Sequence, residues 1–230
     1  MILLFLVAFF ISLIVLVVLS LKKPNSVNRL IAKTVTSLLF IAVMISGAVD
    51  TVELNPVYFG LLLAAQIASL AGDVMLGINA ADDIKAKFPF SWRQYGCYAF
   101  MAAHVLFSTG IIITFGFSWV SLIIPVLGVV ALYFTLKNLE ITKKNLVIIL
   151  CAYAFMMTFM VSTTVGTAIN TGFSQQGVHV MLAGLFFLLS DSTLLFKYYA
   201  KKPLKFYVWF SCITYYIAQL LFALSVITYL

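Results

Sequence analysis

Residues 1–23 read MILLFLVAFFISLIVLVVLSLKK, an apolar run that ends in two lysines. No basic residue precedes the run, and Lys22 and Lys23 stand where a small-residue cleavage site would lie. The segment therefore reads as a first membrane span rather than a secretion signal. A helix needs about 20 apolar residues to cross a hydrocarbon core, and runs of that length recur from one end of the chain to the other. Of 230 residues, 64% are hydrophobic and 9% are charged, which excludes an ordinary soluble domain. The expected fold is an all-α polytopic membrane protein forming a single domain over 1–230. About eight spans are expected, near residues 2–21, 29–49, 56–78, 94–116, 118–136, 146–166, 177–197 and 205–229.

The basic residues fall on alternate loops: Lys22, Lys23 and Arg29, then Lys85, Lys87 and Arg93, then Lys137, Lys143 and Lys144, then Lys201, Lys202 and Lys205. The other loops contain no lysine or arginine. By the positive-inside rule these four loops are cytoplasmic, and an even number of spans places both termini outside. Asp50 and Glu53 then face outward. The net charge of +7 follows from this topology, so the expected partners are membrane lipids with anionic headgroups rather than nucleic acid. The expected location is the bacterial inner membrane; oligomeric state is not readable. Cys97, Cys151 and Cys212 all fall in apolar segments without metal-type spacing and read as small buried hydrophobes. The longest loop, 79–93, reads as an interfacial segment anchored by Phe88, Phe90 and Trp92.

Two aspartates sit inside apolar surroundings: Asp73 in AAQIASLAGDVMLG (64–77) and Asp191 in AGLFFLLSDSTLLFKYY (183–199). An acid at that depth costs roughly 3 kcal/mol on insertion scales, so it has partners or a task. Placing Asp73 over Asp191 aligns GDVML with SDSTL, and AHVLF (103–107) echoes AQLLF (218–222). Spans three and four thus resemble seven and eight, which implies two parallel four-helix halves. The two acids are then expected at one depth, about five or six residues from the cytoplasmic end, on helices that pack together. Gln66, Ser69 and Asp73 share a stripe, as do Ser211, Tyr215 and Gln219, and His104 with Ser108. These stripes are expected to face the bundle interior, with Gly184 opening a flat contact face near Asp191. Lys33 lies about one turn inside the second span, placed either to snorkel or to serve as a countercharge to the acids.

Two acids close together in a low dielectric ionise in separated steps, so the pair supplies a general acid and a general base. Such a pair suits a substrate that becomes an oxocarbenium ion on protonation and is then attacked by water. A vinyl ether is one such substrate.

Asp73 within SLAGDVML, His104 within YAFMAAHVLF, Asp191 within LFFLLSDSTLLF and the segment YYIAQLLFA (215–223) together resemble the YhhN family of lysoplasmalogenases, in motif order, span number and length. The resemblance implies hydrolysis of the vinyl ether bond of lysoplasmalogens to a fatty aldehyde and glycerophosphoethanolamine or glycerophosphocholine, without a cofactor. It implies Asp73 and Asp191 as the catalytic acids. Lys33 would tune their proton or contact the phosphate, and Gln66, Ser69, His104, Tyr215 and Gln219 would bind or orient the substrate. The family often has Lys-Pro where this chain has Lys33-Thr34, which bears on the reach of Lys33. A lysophospholipid would enter with its tail between helices and its headgroup toward the basic loops.

Two other readings use the same residues. A zinc hydrolase would need three protein ligands, and with His179 placed near the opposite face only Asp73, Asp191 and His104 could supply them, without HxxxH or HxxE spacing; no metal is expected. A proton-coupled transporter would share the paired acids and the parallel repeat. Against it, Pro125 interrupts the fifth span while the first, its counterpart, has no proline or glycine.

Overall fold

The structure is a computed structural model that describes residues 1–87, 90–141, 143–202 and 204–227. Phe88 and the expected end of the last span at 229 lie outside the described residues. Those described are organised as nine helices with no strand: α1 (Ile2–Lys22), α2 (Val27–Val49), α3 (Pro56–Ala80), α4 (Asp82–Lys87), α5 (Trp92–Phe115), α6 (Val120–Asn138), α7 (Lys144–Asn170), α8 (Gln175–Tyr199) and α9 (Lys205–Ser225). All but α4 are long and apolar enough to cross a membrane. The chain is an integral multi-pass membrane protein.

Helix boundaries follow local chemistry. Ser26 caps α2 by accepting the Arg29 amide at 3.2 Å, and Asn55 caps α3 by accepting from Val57 and Tyr58, with Pro56 at the first helical position. The sixth span runs to Asn170, four residues beyond the expected 166. Gly166 does not end it, because the missing side chain makes room for Ser118 against α7. The helix stops where Gly172 and Phe173 take positive φ, and the Phe173 amide bonds the Ala168 carbonyl at 2.7 Å. The 79–93 loop contains α4, with Asp82 and Asp83 in its first turn and Lys85 and Lys87 in its last, matching the helix dipole. Asn25 Nδ2 donates to Asp82 Oδ2 at 2.8 Å and ties this segment to the loop before α2.

Pro125 does not interrupt the fifth span; α6 runs through it unbroken. A proline leaves the carbonyl four residues earlier without its helical donor. That carbonyl belongs to Ser121, and Ser162 Oγ of α7 donates to it at 3.3 Å. The replacement bond lets the helix continue and pins α6 to α7.

The tightest helix pairs are α3 with α5 and α8 with α9, followed by α6 with α7, α1 with α2 and α7 with α8. Contacts of α2 with α9 and of α5 with α7 join these groups. The core is strongly aromatic, with Phe9, Phe40, Tyr58, Phe107, Phe187, Tyr216 and Phe222 fully buried. Phe107 and Phe222, the last residues of AHVLF and AQLLF, stack on each other at 4.1 Å between ring centroids. One expectation fails here: α3 and α8, which carry the two acids, do not form a packed pair. Helices α5 and α9 pack against them instead, and the bulky rings of Phe100, Phe187 and Tyr215 fill the space between. Gly184 gives a close contact face to α7, since an added Cβ there would run into Thr164.

Candidate functional site

On α2, Lys33 and Ser37 are separated by one helical turn and so share a face. The helix runs unbroken through Thr34, whose hydroxyl donates to the Leu30 carbonyl at 3.0 Å, and Lys33 extends from the second turn. Its ammonium reaches Asp73 Oδ1 at 2.7 Å, with the aspartate side chain 1% exposed and the lysine 14%. Asp73 Oδ2 accepts from Ser37 Oγ at 2.6 Å and from Tyr215 OH at 2.7 Å. The carboxylate therefore has a donor from α2 and one from α9 in addition to its ion pair. Charge-assisted bonds this short are the strong class of hydrogen bond.

A second layer holds these donors. Tyr216 OH donates to the Lys33 carbonyl at 3.0 Å and lies 3.0 Å from Ser37 Oγ. Gln219 Nε2 donates to Tyr215 OH at 3.3 Å, and Gln66 Nε2 donates to the Gln219 carbonyl at 2.8 Å. The Tyr215 ring meets Phe100 and Phe187 edge-on, at 5.8 and 5.4 Å.

Asp191 has a different environment. Tyr153 OH of α7 donates to its Oδ2 at 2.6 Å, and Oδ1 makes no hydrogen bond among the described residues. His104 Nε2 lies 3.3 Å from Tyr153 OH and 3.7 Å from Asp191 Oδ2, so the tyrosine stands between histidine and acid. Phe187 braces the His104 ring edge-on at 4.8 Å. The two acids lie seven and eight residues before the ends of their helices, at the end of the bundle that carries the basic loops.

Both acids line one cavity of about 580 Å³, together with Lys33, Tyr153 and Tyr215. That volume lies within the range of small-molecule sites, roughly 300–1,000 Å³. Toward the basic loops the wall carries Arg29, Arg93 and Lys197; away from them it is apolar, with Ile124 and Leu127 of α6 and Met157 of α7. Of the residues singled out in the sequence, Lys33, Asp73, Asp191 and Tyr215 reach this cavity. Gln66, Ser69, His104 and Gln219 are buried behind its wall and do not line it. Among the described residues no group of three His, Cys, Asp or Glu is placed to hold a metal ion.

The sequence model of the YhhN family matches residues 28–226. The chain belongs to the YhhN family. No curated protein and no solved structure matches it. The YhhN match takes in the whole of the polar site, from Lys33 to Gln219, and leaves out α1, whose Leu16 and Ser20 nonetheless line the cavity. The sequence reading missed three hydroxyls of the YhhN site: Ser37, Tyr153 and Tyr216. Ser37 carried a signal, its one-turn spacing from Lys33. Tyr153 carried none, because a lone tyrosine among Ala, Phe and Met reads as packing.

Proposed function

We propose that this YhhN protein is a lysoplasmalogenase that hydrolyses the vinyl ether bond of a single-chain ether lipid. The observation that carries the reading, beside family membership, is that two unlike acids line one largely apolar cavity. Asp73 is ion-paired and held by two hydroxyls, which suits a fixed anion. Asp191 has one donor and a free Oδ1, which suits a group that gives up and regains a proton.

On this reading Asp191 protonates the outer alkene carbon, and the double bond's electrons form the new C–H bond. The inner carbon becomes an oxocarbenium centre, and Asp73 stabilises it by charge. Asp191, now a carboxylate, takes a proton from water as the water oxygen adds to that carbon. The hemiacetal then breaks its C–O bond, its hydroxyl proton passing to the departing glycerol oxygen, to leave a fatty aldehyde and a glycerophospho-alcohol. Tyr153 and His104 hold Asp191 in place. Gln66, Ser69 and Gln219 act at one remove, by positioning Tyr215 and the walls around Asp73. The lipid's tail would lie along α6 and α7, and the basic loops at the site's end favour a cytoplasmic-facing site, in a bacterial plasma membrane on this reading.

The test is aldehyde release from a lysoplasmalogen by purified protein, against folded Asp73→Asn and Asp191→Asn variants. The expected result is release by the parent and loss of at least a hundredfold in Asp191→Asn. Full activity in both variants would overturn the mechanism. No release from any vinyl ether lipid, together with proton-driven solute uptake in vesicles, would make the protein a transporter.

A further inference from the structure

Three cations on the cavity wall have no countercharge among the described residues. Ion pairs among the described residues join Lys33 to Asp73 and Lys201 to Glu140, and His104 Nε2 lies 3.7 Å from Asp191 Oδ2. Arg29, Arg93 and Lys197 pair with no carboxylate among the described residues, yet all three line the cavity that holds the acids. They come from three helices and meet at one level: Arg29 is the third residue of α2, Arg93 the second of α5, and Lys197 the third from the end of α8.

Their side chains are positioned rather than free. Arg29 donates Nε to Ser20 Oγ of α1 at 3.0 Å, which orients its guanidinium and leaves the terminal nitrogens available. Arg93 and Lys197 approach the same ring, that of Tyr198, at 4.8 and 5.5 Å from its centroid. Holding like charges together beside a low-dielectric cavity is unfavourable unless an anion completes the set. Lys33 is already committed to Asp73, so it is not available for that anion.

We propose that Arg29, Arg93 and Lys197 form a subsite for a phosphate ester, the headgroup phosphate of the single-chain lipid whose tail occupies the apolar part of the cavity. The subsite rests on the lipid reading above and adds to it the group that is recognised. Guanidinium groups suit phosphate oxygens because they present paired donors. Asp191 and Lys197 are six residues apart on α8, a rise of about 9 Å, so a lipid with its phosphate on the cations can present its glycerol and first tail atoms to the acids. The subsite would then set the depth at which the reactive bond stops.

The test measures binding, so it does not depend on catalysis. Purified protein in a non-ionic detergent is titrated with an acyl lysophosphatidylethanolamine, which lacks the vinyl ether, and with a monoacylglycerol of the same chain length, which lacks the phosphate. The expected result is that the phospholipid binds at least tenfold more tightly. Arg93→Gln, an exposed position whose change spares the fold, should remove most of that preference and leave monoacylglycerol binding unchanged; Arg93→Lys should restore part of it. Equal affinities for the two lipids in the parent protein, or an undiminished preference in both Arg93→Gln and Lys197→Gln, would overturn the subsite. A third titration, with inorganic phosphate, separates the sources. Weak competition supports a lipid headgroup, whereas inorganic phosphate binding as tightly as the lysophospholipid would refute it. If the phosphate preference is found but no aldehyde is ever released, the subsite stands and the hydrolase reading falls.

Discussion

Replacing Lys33 with methionine keeps an unbranched apolar side chain, one atom shorter, and removes the ammonium that meets Asp73. Asp73, whose side chain is 1% exposed, is then left buried with two hydroxyl donors, from Ser37 and Tyr215, and no cation. Breaking a buried pair from one side typically costs 3–5 kcal/mol. The two surviving hydrogen bonds and the 14% exposure of Lys33 place this case at the lower end, about 3 kcal/mol. For a chain of this length that corresponds to a fall in Tm of about 6–12 °C. The assay is thermal unfolding in detergent, followed by circular dichroism at one scan rate, because irreversible unfolding makes Tm depend on rate. The informative comparison is a double-mutant cycle. Lys33→Met with Asp73→Asn removes the stranded charge, so the double variant should be more stable than Lys33→Met alone, with a coupling energy of about 2 kcal/mol. A Lys33→Met protein that melts within 2 °C of the parent, or a double variant whose losses simply add, would refute the view that this pair is electrostatically coupled.

Removing the Tyr153 hydroxyl (Tyr153→Phe) deletes the single donor to Asp191. About 1.5–3 kcal/mol of charge-assisted bonding is lost, and aldehyde release should drop by roughly tenfold or more with the fold intact, measured by turnover beside a gel-filtration profile. Gly184→Ala drives a methyl group into Thr164 and should cost about 1–3 kcal/mol by forcing α7 and α8 apart; a Tm unchanged from the parent would show that this interface is loose. Topology is checked by single cysteines at Glu53 and Lys85, introduced after the native cysteines are replaced: a membrane-impermeant thiol reagent applied to intact cells should label the first and spare the second.

The spans were legible because the membrane imposes a length on apolar helices that no other environment demands, and Asp73 and Asp191 stood out because apolar sequence around an acid is rare. Their partners were legible only where helical spacing exposed them. Lys33 was visible as a charge inside a span, and the stripe of Gln66, Ser69 and Asp73 is buried as expected. What the pattern could not show is which helices lie side by side. Similar motifs on the third and seventh spans suggested direct packing, but similarity fixes no distance, and the rings of Phe100, Phe187 and Tyr215 decide the separation. The same limit explains Gln66, Ser69, His104 and Gln219. Helical phase placed them inside the bundle, but it does not distinguish the wall of a cavity from the layer behind that wall. Pro125 misled for a related reason, since the Ser162 hydroxyl that satisfies the Ser121 carbonyl belongs to another helix.

In each half of the site, the acid and one of its partners sit on successive spans: Lys33 on α2 before Asp73 on α3, and Tyr153 on α7 before Asp191 on α8. A growing chain enters the membrane in that order. An aspartate arriving alone inside the apolar layer costs up to roughly 3 kcal/mol, whereas one arriving beside a helix that already presents an ammonium or a phenol has a partner at once. The pairs that shape the cavity would thus also ease the insertion of these two helices, so a variant lacking Lys33 should show its first defect on the ribosome-bound chain, as slowed integration of α3.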